Sequence, residues 1–364
     1  MNILLIRLRL IGDVVFTTPA VRAIRRRHPG ARLSYLVEPE AAPVVLGNPH
    51  IDEVIVAPKP SGRAWVFPDL ALARRLRAAR YDLVVDFHGG PRSSWLTWAT
   101  GAAMRVGYAV TGRSWMYTVR VPRPRDLRSR HSVVNQWDLL GPLGFDSPDP
   151  GRDATEMAED PAAALSMART LASAGVNAGG HEVIVVHVSA GNPFRRWPAE
   201  SFVQMASALA ITDHRRRIVV TSGPSEAEAA SRIGREARAR VGPGLAANIV
   251  SEAAFGLAEL RELLARAALF IGGDSGPLHV ASTTAVPVVG LFGPTLSARS
   301  APWRSPDLVT ESIEVTDVPC RPCDQRRCEP GDFRCLALIA PGTVGAAAER
   351  ALARAKQRTR PVPL

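Results

Sequence analysis

Short apolar runs alternate with amphipathic stretches from one end of the chain to the other. In the first half the apolar runs are "NILLIRL", "RLSYLV", "EVIVA" and "YDLVVDF", and in the second half they are "VIVVHVS", "RIVVTSG", "NIVS", "ALFIGG" and "VPVVGLFGP". Such runs are typical of buried strands, and the helical patterns between them imply crossover connections, which join parallel strands. The pattern predicts an α/β fold.

The helical stretches divide these strands into two series. One helix is predicted from about Thr17 to His28, with Thr18 as its cap and Pro19 at its first position. An Ala-rich helix is predicted over about residues 154–178, after which "VNAGGHE" breaks the pattern. We therefore predict two Rossmann-like domains facing a central cleft, residues 1–170 and 180–340, followed by a C-terminal helix and tail over residues 341–364.

Length and charge support two domains and an anionic partner. A chain of 364 residues is longer than one core usually supports. Residues 1–150 contain 21 Lys and Arg against 12 Asp and Glu, and so carry most of the net charge of +11. Nucleic acid, acidic lipid or a phosphorylated glycan would suit such a surface, and an arginine-rich composition without a partner is the alternative.

Five arginines of the first half fall in the proline-broken stretch "VRVPRPRDLRSRH", which predicts a flexible basic loop that grips phosphates: Arg120, Arg123, Arg125, Arg128 and Arg130. The apolar run at the N-terminus ends at Arg7, which is too short for a signal-peptide core. The longest uncharged run contains three prolines and is not typical of a membrane span. We expect a cytoplasmic protein that meets the inner membrane only peripherally.

The stretch "LFIGGDSGPLHVAS" leads from a strand through a glycine-rich turn into a new helix. In α/β sheets ligands bind beyond the carboxyl ends of the strands, where helix N-termini attract anions. Asp274, Ser275, Gly276 and His279 lie at that point, and we interpret them as a cradle for a diphosphate. A helix cap beside a core histidine is the alternative reading.

Two more strand ends in the second half carry polar residues. "VHVSAGNPFRRWP" presents Ser189 and Arg195, and "VVTSGPSEAEAAS" presents Glu226, which suits a ribose diol or else a plain helix cap. None of these loops is a GxGxxG or Walker A sequence, which disfavours dinucleotide dehydrogenases and P-loop kinases.

The first half has a candidate base. "RLRLIGDVVFTTPAVRAI" places Asp13 after a glycine turn, ahead of a helix that would hold the carboxylate ionised, although aspartate at such a place is often only a cap. "VVDFHGGPRSS" presents Asp86, His88 and Arg92 at another strand end, with Asp86 and His88 as alternative bases.

Together these motifs resemble glycosyltransferase family 9, the bacterial heptosyltransferases that extend the lipopolysaccharide inner core. The resemblance covers nearly the whole chain and rests on "GDVVFTTPAVRAIRRRHPGARLSYL", "YDLVVDFHGGPRSS", "RVGY", "SAGNPFRRWP" and "GGDSGPLHVASTTAVPVVGLFGPT". The closing "CRPCDQRRCEPGDFRCL" is similar to the second-heptose branch of the family. The resemblance implies a GT-B fold with an acceptor-binding first domain and a donor-binding second domain. It also implies an ADP-heptose donor, inversion at the anomeric carbon, and no metal or other cofactor.

Carried over by position, the resemblance implies that Asp13 is the general base. It assigns donor binding to the second half: Ser189, Arg195, Glu226, Asp274, Ser275, Gly276 and His279. Arg195 stands where the family usually has lysine, which changes the geometry of the phosphate contact. An anionic glycolipid acceptor would be held by the basic first half, namely Arg92, Arg120, Arg123, Arg125 and Arg128.

Some alternatives stay open at this point. Cys320, Cys323, Cys328 and Cys335 have spacing compatible with structural zinc or with free thiols, and we do not expect a metal site there. A transferase for another nucleotide sugar, a nucleotide-sugar epimerase and a non-catalytic binding protein share the predicted architecture. An epimerase has no need of a basic acceptor loop, and motifs confined to strand ends weigh against nucleic-acid binding.

Overall fold

The computed structural model describes residues 1–59, 66–124, 127, 129–177, 179–323 and 325–359, and these form two compact units, Met1–Ala158 and Glu159–Leu364. Unit 1 contains strands β1 Asn2–Ile6, β2 Arg32–Val37, β3 Glu53–Val56, β4 Leu83–Asp86, β5 Met104–Tyr108 and β6 Val119–Val121. Its helices are α1 Ile11–Val15, α2 Thr18–Arg27, α3 Val66–Ala78, α4 Pro91–Ala99 and α5 Ser132–Trp137. Short 3₁₀ turns cover Ala42–Val44, Ser114–Met116 and Asp138–Leu143.

Unit 2 repeats this alternation. Its strands are β7 Glu182–His187, β8 Arg216–Thr221, β9 Ile249–Val250, β10 Leu269–Gly273, β11 Val288–Phe292 and β12 Thr310–Glu314. Its helices are α6 Pro161–Ser173, α7 Ala199–Thr212, α8 Ala227–Val241, α9 Leu257–Arg266, α10 Gly276–Ala281, α11 Ser297–Ser300, α12 Arg334–Ala337 and α13 Pro341–Thr359. Further 3₁₀ turns cover Pro193–Arg195, Pro224–Glu226 and Ala246–Asn248.

Both sheets are parallel and have the same topology. The order is β3-β2-β1-β4-β5-β6 in unit 1 and β9-β8-β7-β10-β11-β12 in unit 2, so each reads 3-2-1-4-5-6 along its own chain segment. This is the Rossmann order, and it reverses direction between β1 and β4 and again between β7 and β10. Loops on either side of such a switch point diverge and leave a crevice, which is the usual ligand site of the fold. The predicted α/β class with two Rossmann-like units is confirmed.

The units divide earlier in the chain than the pattern predicted. Helix α6 groups with unit 2, where the Asp160 N–H that precedes it donates to the Glu262 carboxylate at 3.0 Å. The break in pattern near residue 178 marks only the turn between α6 and β7. Helix α13, predicted as a separate tail, also belongs to unit 2, because it buries Val344, Ala348 and Leu352 in that core.

Several element boundaries also differ from the prediction. Thr18 does not cap α2, because its hydroxyl donates to the Val15 carbonyl of the preceding turn at 2.8 Å. The Ala-rich helix begins only at Pro161, capped by the Asp160 carboxylate. Strands β6 and β12 were not predicted, since their short sequences lack a long apolar run. No helix among the described residues has the length and apolar character needed to cross a membrane.

Candidate functional site

The switch point of unit 2 is built around a buried carboxylate. Asp274 directly follows β10 and is only 3 % exposed. One carboxylate oxygen accepts from the Thr295 hydroxyl at 2.6 Å and lies 3.2 Å from Arg195 Nη1, and the other lies 3.4 Å from His279 Nε2. Burial by itself raises the pKa of Asp274, but the contacts from His279 and Arg195 outweigh it and hold the pKa at about 2. Asp274 is therefore a fixed anion that orients two cationic or polar side chains.

Arg195 connects the two strands that border this crevice. It ends the 3₁₀ turn after β7, and its Nη1 also donates to the Asp274 carbonyl at 3.3 Å across the crevice. A Cβ at Gly273 would lie 3.1 Å from the Arg195 carbonyl oxygen, so a larger residue there would push this loop back by a few tenths of an ångström. The Arg195 side chain stays 30 % exposed, and no described residue accepts from its Nη2. It is thus placed to bind an anion from solvent.

The turn after Asp274 supplies the backbone of the predicted cradle. Ser275 is extended and precedes α10, and its hydroxyl donates back to the Gly273 carbonyl at 3.2 Å. Gly276 is the first residue of that helix, where backbone N–H groups lack an acceptor within the helix. Since His279 is buried against Asp274, the structure brings all four predicted residues of this turn together with Arg195.

Ser189 and Glu226 meet one strand further along the same sheet edge. Ser189 Oγ lies 3.0 Å from His187 Nε2 and accepts from the Gly223 N–H at 2.9 Å. Burial lowers the pKa of His187 to about 4, so that imidazole is neutral at pH 7. Glu226 is 7 % exposed and accepts from Arg196 at 2.6 Å through Oε1, while no described residue donates to its Oε2. The Glu226 carboxylate is therefore held in place with one oxygen available for a hydroxyl ligand.

The switch point of unit 1 carries Asp13. Asp13 lies in the first turn of α1 and forms an ion pair with Arg7, and its side chain is 31 % exposed. Arg7 Nη1 also donates to the Phe87 carbonyl at 2.6 Å, so this arginine joins the loops that follow β1 and β4. The Gln136 amide donates to the Asp13 carbonyl at 3.3 Å. Asp13 is a solvent-accessible carboxylate that a substrate hydroxyl could reach, and Arg7 holds it in place.

Several buried polar atoms in unit 1 find no hydrogen-bond partner among the described residues. They include Arg7 Nε, His88 Nδ1, Tyr108 Oη and Gln136 Oε1. Burial, with the charges of Arg7 and Arg9, lowers the pKa of His88 to about 4, so its imidazole is neutral at pH 7. Buried donors and acceptors are normally satisfied, and unsatisfied ones at a strand edge are typical of a ligand site. Sequence reasoning singled out neither Tyr108, which appears only as part of "RVGY", nor Gln136, which lies in no motif.

Two residues predicted near Asp13 serve the fold. Asp86 is fully buried and accepts from the His88 and Gly89 N–H groups and from two hydroxyls, those of Ser93 and Tyr117. Burial raises its pKa despite these bonds. Arg92 forms ion pairs with two carboxylates: its guanidinium lies 2.6 Å from Asp69 and 2.8 Å from Glu38. Asp86 is thus enclosed by protein groups, and Arg92 is already bonded to two carboxylates, while its acceptor role stays a prediction.

The basic segment is only partly a loop. Arg120 is the middle residue of β6, at the edge of the sheet, and Arg123 follows it; both are exposed and form no ion pair with a described residue. Arg130 is paired with Asp138 at 2.9 Å. Arg125 and Arg128 lie outside the described residues. Arg120 and Arg123 thus stay candidates for acceptor binding.

Comparison with known proteins identifies the family of this chain. The sequence profile of glycosyltransferase family 9 (heptosyltransferase) matches residues 70–331. The chain belongs to glycosyltransferase family 9. A lipopolysaccharide heptosyltransferase 3 of Escherichia coli is 28 % identical over 326 residues, which is 88 % of this chain and 91 % of that protein. This similarity over most of both chains is to a heptosyltransferase 3, so the assignment to the second-heptose branch from the cysteine-containing segment is not supported.

Solved structures of the family share the fold. The family 9 glycosyl transferase of Veillonella parvula DSM 2008 superposes with a TM-score of 0.82 at 24 % identity, covering 97 % of each chain. The E. coli heptosyltransferase WaaC with ADP-2-deoxy-2-fluoro heptose has a TM-score of 0.67 at 20 % identity, covering 96 % of this chain and 99 % of that one. The predicted GT-B fold is therefore confirmed, and the protein is a glycosyltransferase of the heptosyltransferase family.

In this family 9 protein the cysteine-containing segment supports Arg195 of unit 2. Gln325 Oε1 accepts from Arg195 Nε at 2.7 Å and from the Asn192 amide at 2.9 Å. The Phe333 ring also packs edge-on against Phe194, with centroids 5.5 Å apart. The described residues include no group of three or more His, Cys, Asp or Glu arranged to hold a metal, and burial raises the pKa of the Cys335 thiol to about 11. The segment positions Arg195, a role that the cysteine spacing did not indicate.

Proposed function

We propose that the protein transfers a heptose from ADP-heptose to the inner core of lipopolysaccharide, with inversion at the anomeric carbon. The proposal places it in the cytoplasm, at the inner-membrane surface where a glycolipid acceptor is met. One observation supports donor binding by unit 2. Arg195 is held across the switch point of that unit, where it lies 3.2 Å from Asp274 and donates to Gln325 at 2.7 Å. A structure of the E. coli heptosyltransferase WaaC, which has the same fold, contains an ADP-heptose analogue, and this supports the proposed donor.

The proposed chemistry uses one base and one anion site. Asp13 removes the proton of an acceptor hydroxyl while that oxygen forms a bond to the anomeric carbon of the sugar. The bond from the anomeric carbon to the diphosphate oxygen breaks, and the electron pair leaves with ADP. Arg195 and the backbone N–H groups at Ser275–Gly276 stabilise the charge that develops on the diphosphate. Glu226 would accept from a ribose hydroxyl through its open Oε2.

The acceptor side is supported by charge and by unsatisfied polar atoms. Tyr108 Oη and Gln136 Oε1 are buried without partners in the described part of the chain, and hydroxyl-rich sugars would supply both donors and acceptors to them. Arg120 and Arg123 are exposed and would attract the phosphates and carboxylates of an inner-core glycan.

Transfer assays with purified components test the donor and the acceptor separately. We expect the purified chain to add one heptose from ADP-heptose to a core lipopolysaccharide that lacks its terminal heptose, detected as the mass of one added residue. UDP- and GDP-sugars should give no product and no thermal shift. Transfer from a UDP- or GDP-sugar, with none from ADP-heptose, would replace the proposal with another nucleotide-sugar transferase.

A further inference from the structure

One surface of unit 1, which includes none of the residues assigned to donor or acceptor, combines exposed aromatic rings with arginines that form no ion pair with a described residue. We name it the aromatic–arginine face and define it by six residues: Phe67, Leu70, Arg74 and Arg77 on α3, Trp98 near the end of α4, and Trp115 in the connection between β5 and β6. We propose that this face docks the protein on an anionic phospholipid bilayer.

The large apolar side chains of this face are substantially exposed to solvent. Trp98 is 45 % exposed, Trp115 56 % and Phe67 74 %, and Leu70 beside them is 37 % exposed. The two tryptophan rings contact each other edge to face, with centroids 5.7 Å apart, so they form one apolar patch. Exposed apolar residues scattered singly need no explanation, whereas a contiguous group of large ones marks an interaction surface.

The charge around this patch is uniformly positive. Arg74 and Arg77 are exposed and form no ion pair within the described part of the chain, whereas Arg75 on the same helix is bonded to Glu53 at 2.7 Å. The only acid on α3 is Asp69, which is buried and bonded to Arg92. A shallow cavity of about 380 Å³ lies between the two helices, lined by Leu70, Arg74, Arg77, Trp98 and Arg105 with no carboxylate. Such a cavity suits a phosphate beside an apolar chain.

This combination favours a lipid surface over a second copy of the chain. Tryptophan seats its ring at the boundary between headgroups and acyl chains, and arginine can bury its stem while its charge meets phosphate. A two-fold contact through the same face would instead bring together two surfaces that both carry positive charge. Docking through this face would hold the protein at the surface where an amphiphilic acceptor resides, whichever sugar it transfers.

Vesicle binding by the full chain tests the face directly. The probes are vesicles of phosphatidylcholine alone and of phosphatidylcholine with one third phosphatidylglycerol, with binding measured by flotation. The double substitution Arg74→Gln with Arg77→Gln should lower binding to the anionic vesicles about thirty-fold, since each basic residue near a charged bilayer contributes about fivefold. The matched control is Arg169→Gln with Arg235→Gln, which removes two exposed arginines from unit 2 and should change binding less than about twofold. An equal loss in the control would mean general charge attraction and would overturn the proposal.

A second pair of measurements examines the aromatic part. Brominated lipids should quench the tryptophan fluorescence of the bound protein, and Trp98→Ala with Trp115→Ala should remove that quenching and weaken binding about tenfold or more. Both variants should keep the melting temperature and the ADP affinity of the parent, because the face is separate from the nucleotide-binding residues. Absence of quenching in the parent would exclude insertion and overturn the proposal. So would self-association of the parent that disappears in the tryptophan variant, since it would assign the face to a second copy.

Discussion

The two units place a buried carboxylate at the same topological position but shift its pKa in opposite directions. Asp86 ends β4 in unit 1, and Asp274 follows β10 in unit 2, each at the fourth strand of a 3-2-1-4-5-6 sheet and each buried. The pKa of Asp86 is raised by burial, whereas the pKa of Asp274 is held at about 2. The pKa values differ because of the neighbouring side chains. Asp274 contacts Arg195 and His279, whereas Asp86 accepts only from neutral donors. Topology puts a carboxylate at the switch point, and its neighbours decide in which direction its pKa is shifted.

A third carboxylate completes the comparison. Asp13 belongs to the loop after the first strand of unit 1, and its side chain is 31 % exposed beside Arg7. Unit 2 has an arginine in the corresponding loop, Arg195, which also reaches across to the fourth strand. In this arrangement unit 1 offers a carboxylate to solvent and unit 2 offers a guanidinium. This is the arrangement expected if the carboxylate of unit 1 activates a hydroxyl and the guanidinium of unit 2 binds a leaving diphosphate.

Replacing the exposed carboxylate of unit 1 should have the largest effect on activity. Asp13→Asn keeps the size of the side chain but cannot accept a proton, so kcat should fall about 10²- to 10⁴-fold, the range of general-base catalysis. The ADP dissociation constant and the melting temperature should stay close to those of the parent, since Asp13 lies in unit 1 and is partly exposed. Steady-state kinetics and calorimetry measure these quantities.

Full activity of the Asp13→Asn variant would make Asp13 a structural residue. His88 would then be the next candidate base, because it is neutral at pH 7 and its Nδ1 has no partner among the described residues.

Replacing the buried carboxylate of unit 2 should lower stability, besides weakening its hold on Arg195. Asp274→Asn should lower the free energy of unfolding by about 2 kcal/mol at pH 7, the value of a pKa lowered from 3.8 to about 2. Because the folded pKa is the lower one, this stabilisation is present above about pH 4 and is lost as the pH falls through about 2. Denaturant unfolding of parent and variant should therefore converge at the acid end of a pH series.

Asp86→Asn serves as the matched comparison, with the opposite pH trend. Its folded pKa is raised, so the advantage of the parent over this variant should be largest at low pH and should shrink as the pH rises. Parallel pH trends in the two variants would contradict the assignment of cationic partners as the cause of the difference.

The sequence predicted those features that depend on local pattern. The apolar run before Gly273 and the restart of a helix at Gly276 located the switch-point loop of unit 2, and α10 begins at that glycine. The ion pairs of Arg92 could not be predicted, because the positions of its partners Glu38 and Asp69 depend on tertiary packing. Gln325 could not be predicted either, since it reaches Arg195 across 130 residues of chain. Spacing identifies the loops, while packing decides which side chains remain free to bind a ligand.

The smallest predicted effect concerns the support of Arg195. Gln325→Leu removes the oxygen that accepts from Arg195 Nε and Asn192, so the ADP dissociation constant should rise about three- to tenfold, the value of one hydrogen bond. The control Gln204→Leu, on the exposed side of α7, should leave it unchanged.

A double-mutant cycle then separates positioning from general loosening of the segment. Arg195→Ala alone should weaken ADP binding by about 1.5–3 kcal/mol, the range for a charged hydrogen bond. If Gln325 acts by orienting the Arg195 guanidinium, adding Gln325→Leu to Arg195→Ala should cause no further loss. Additive losses would instead mean that Gln325 holds the turn at Asn192, or the whole cysteine-containing segment, independently of the arginine. In that case the fixed geometry of Arg195 would have to come from Asp274 alone, and the contrast between the two units would rest on that single ion pair.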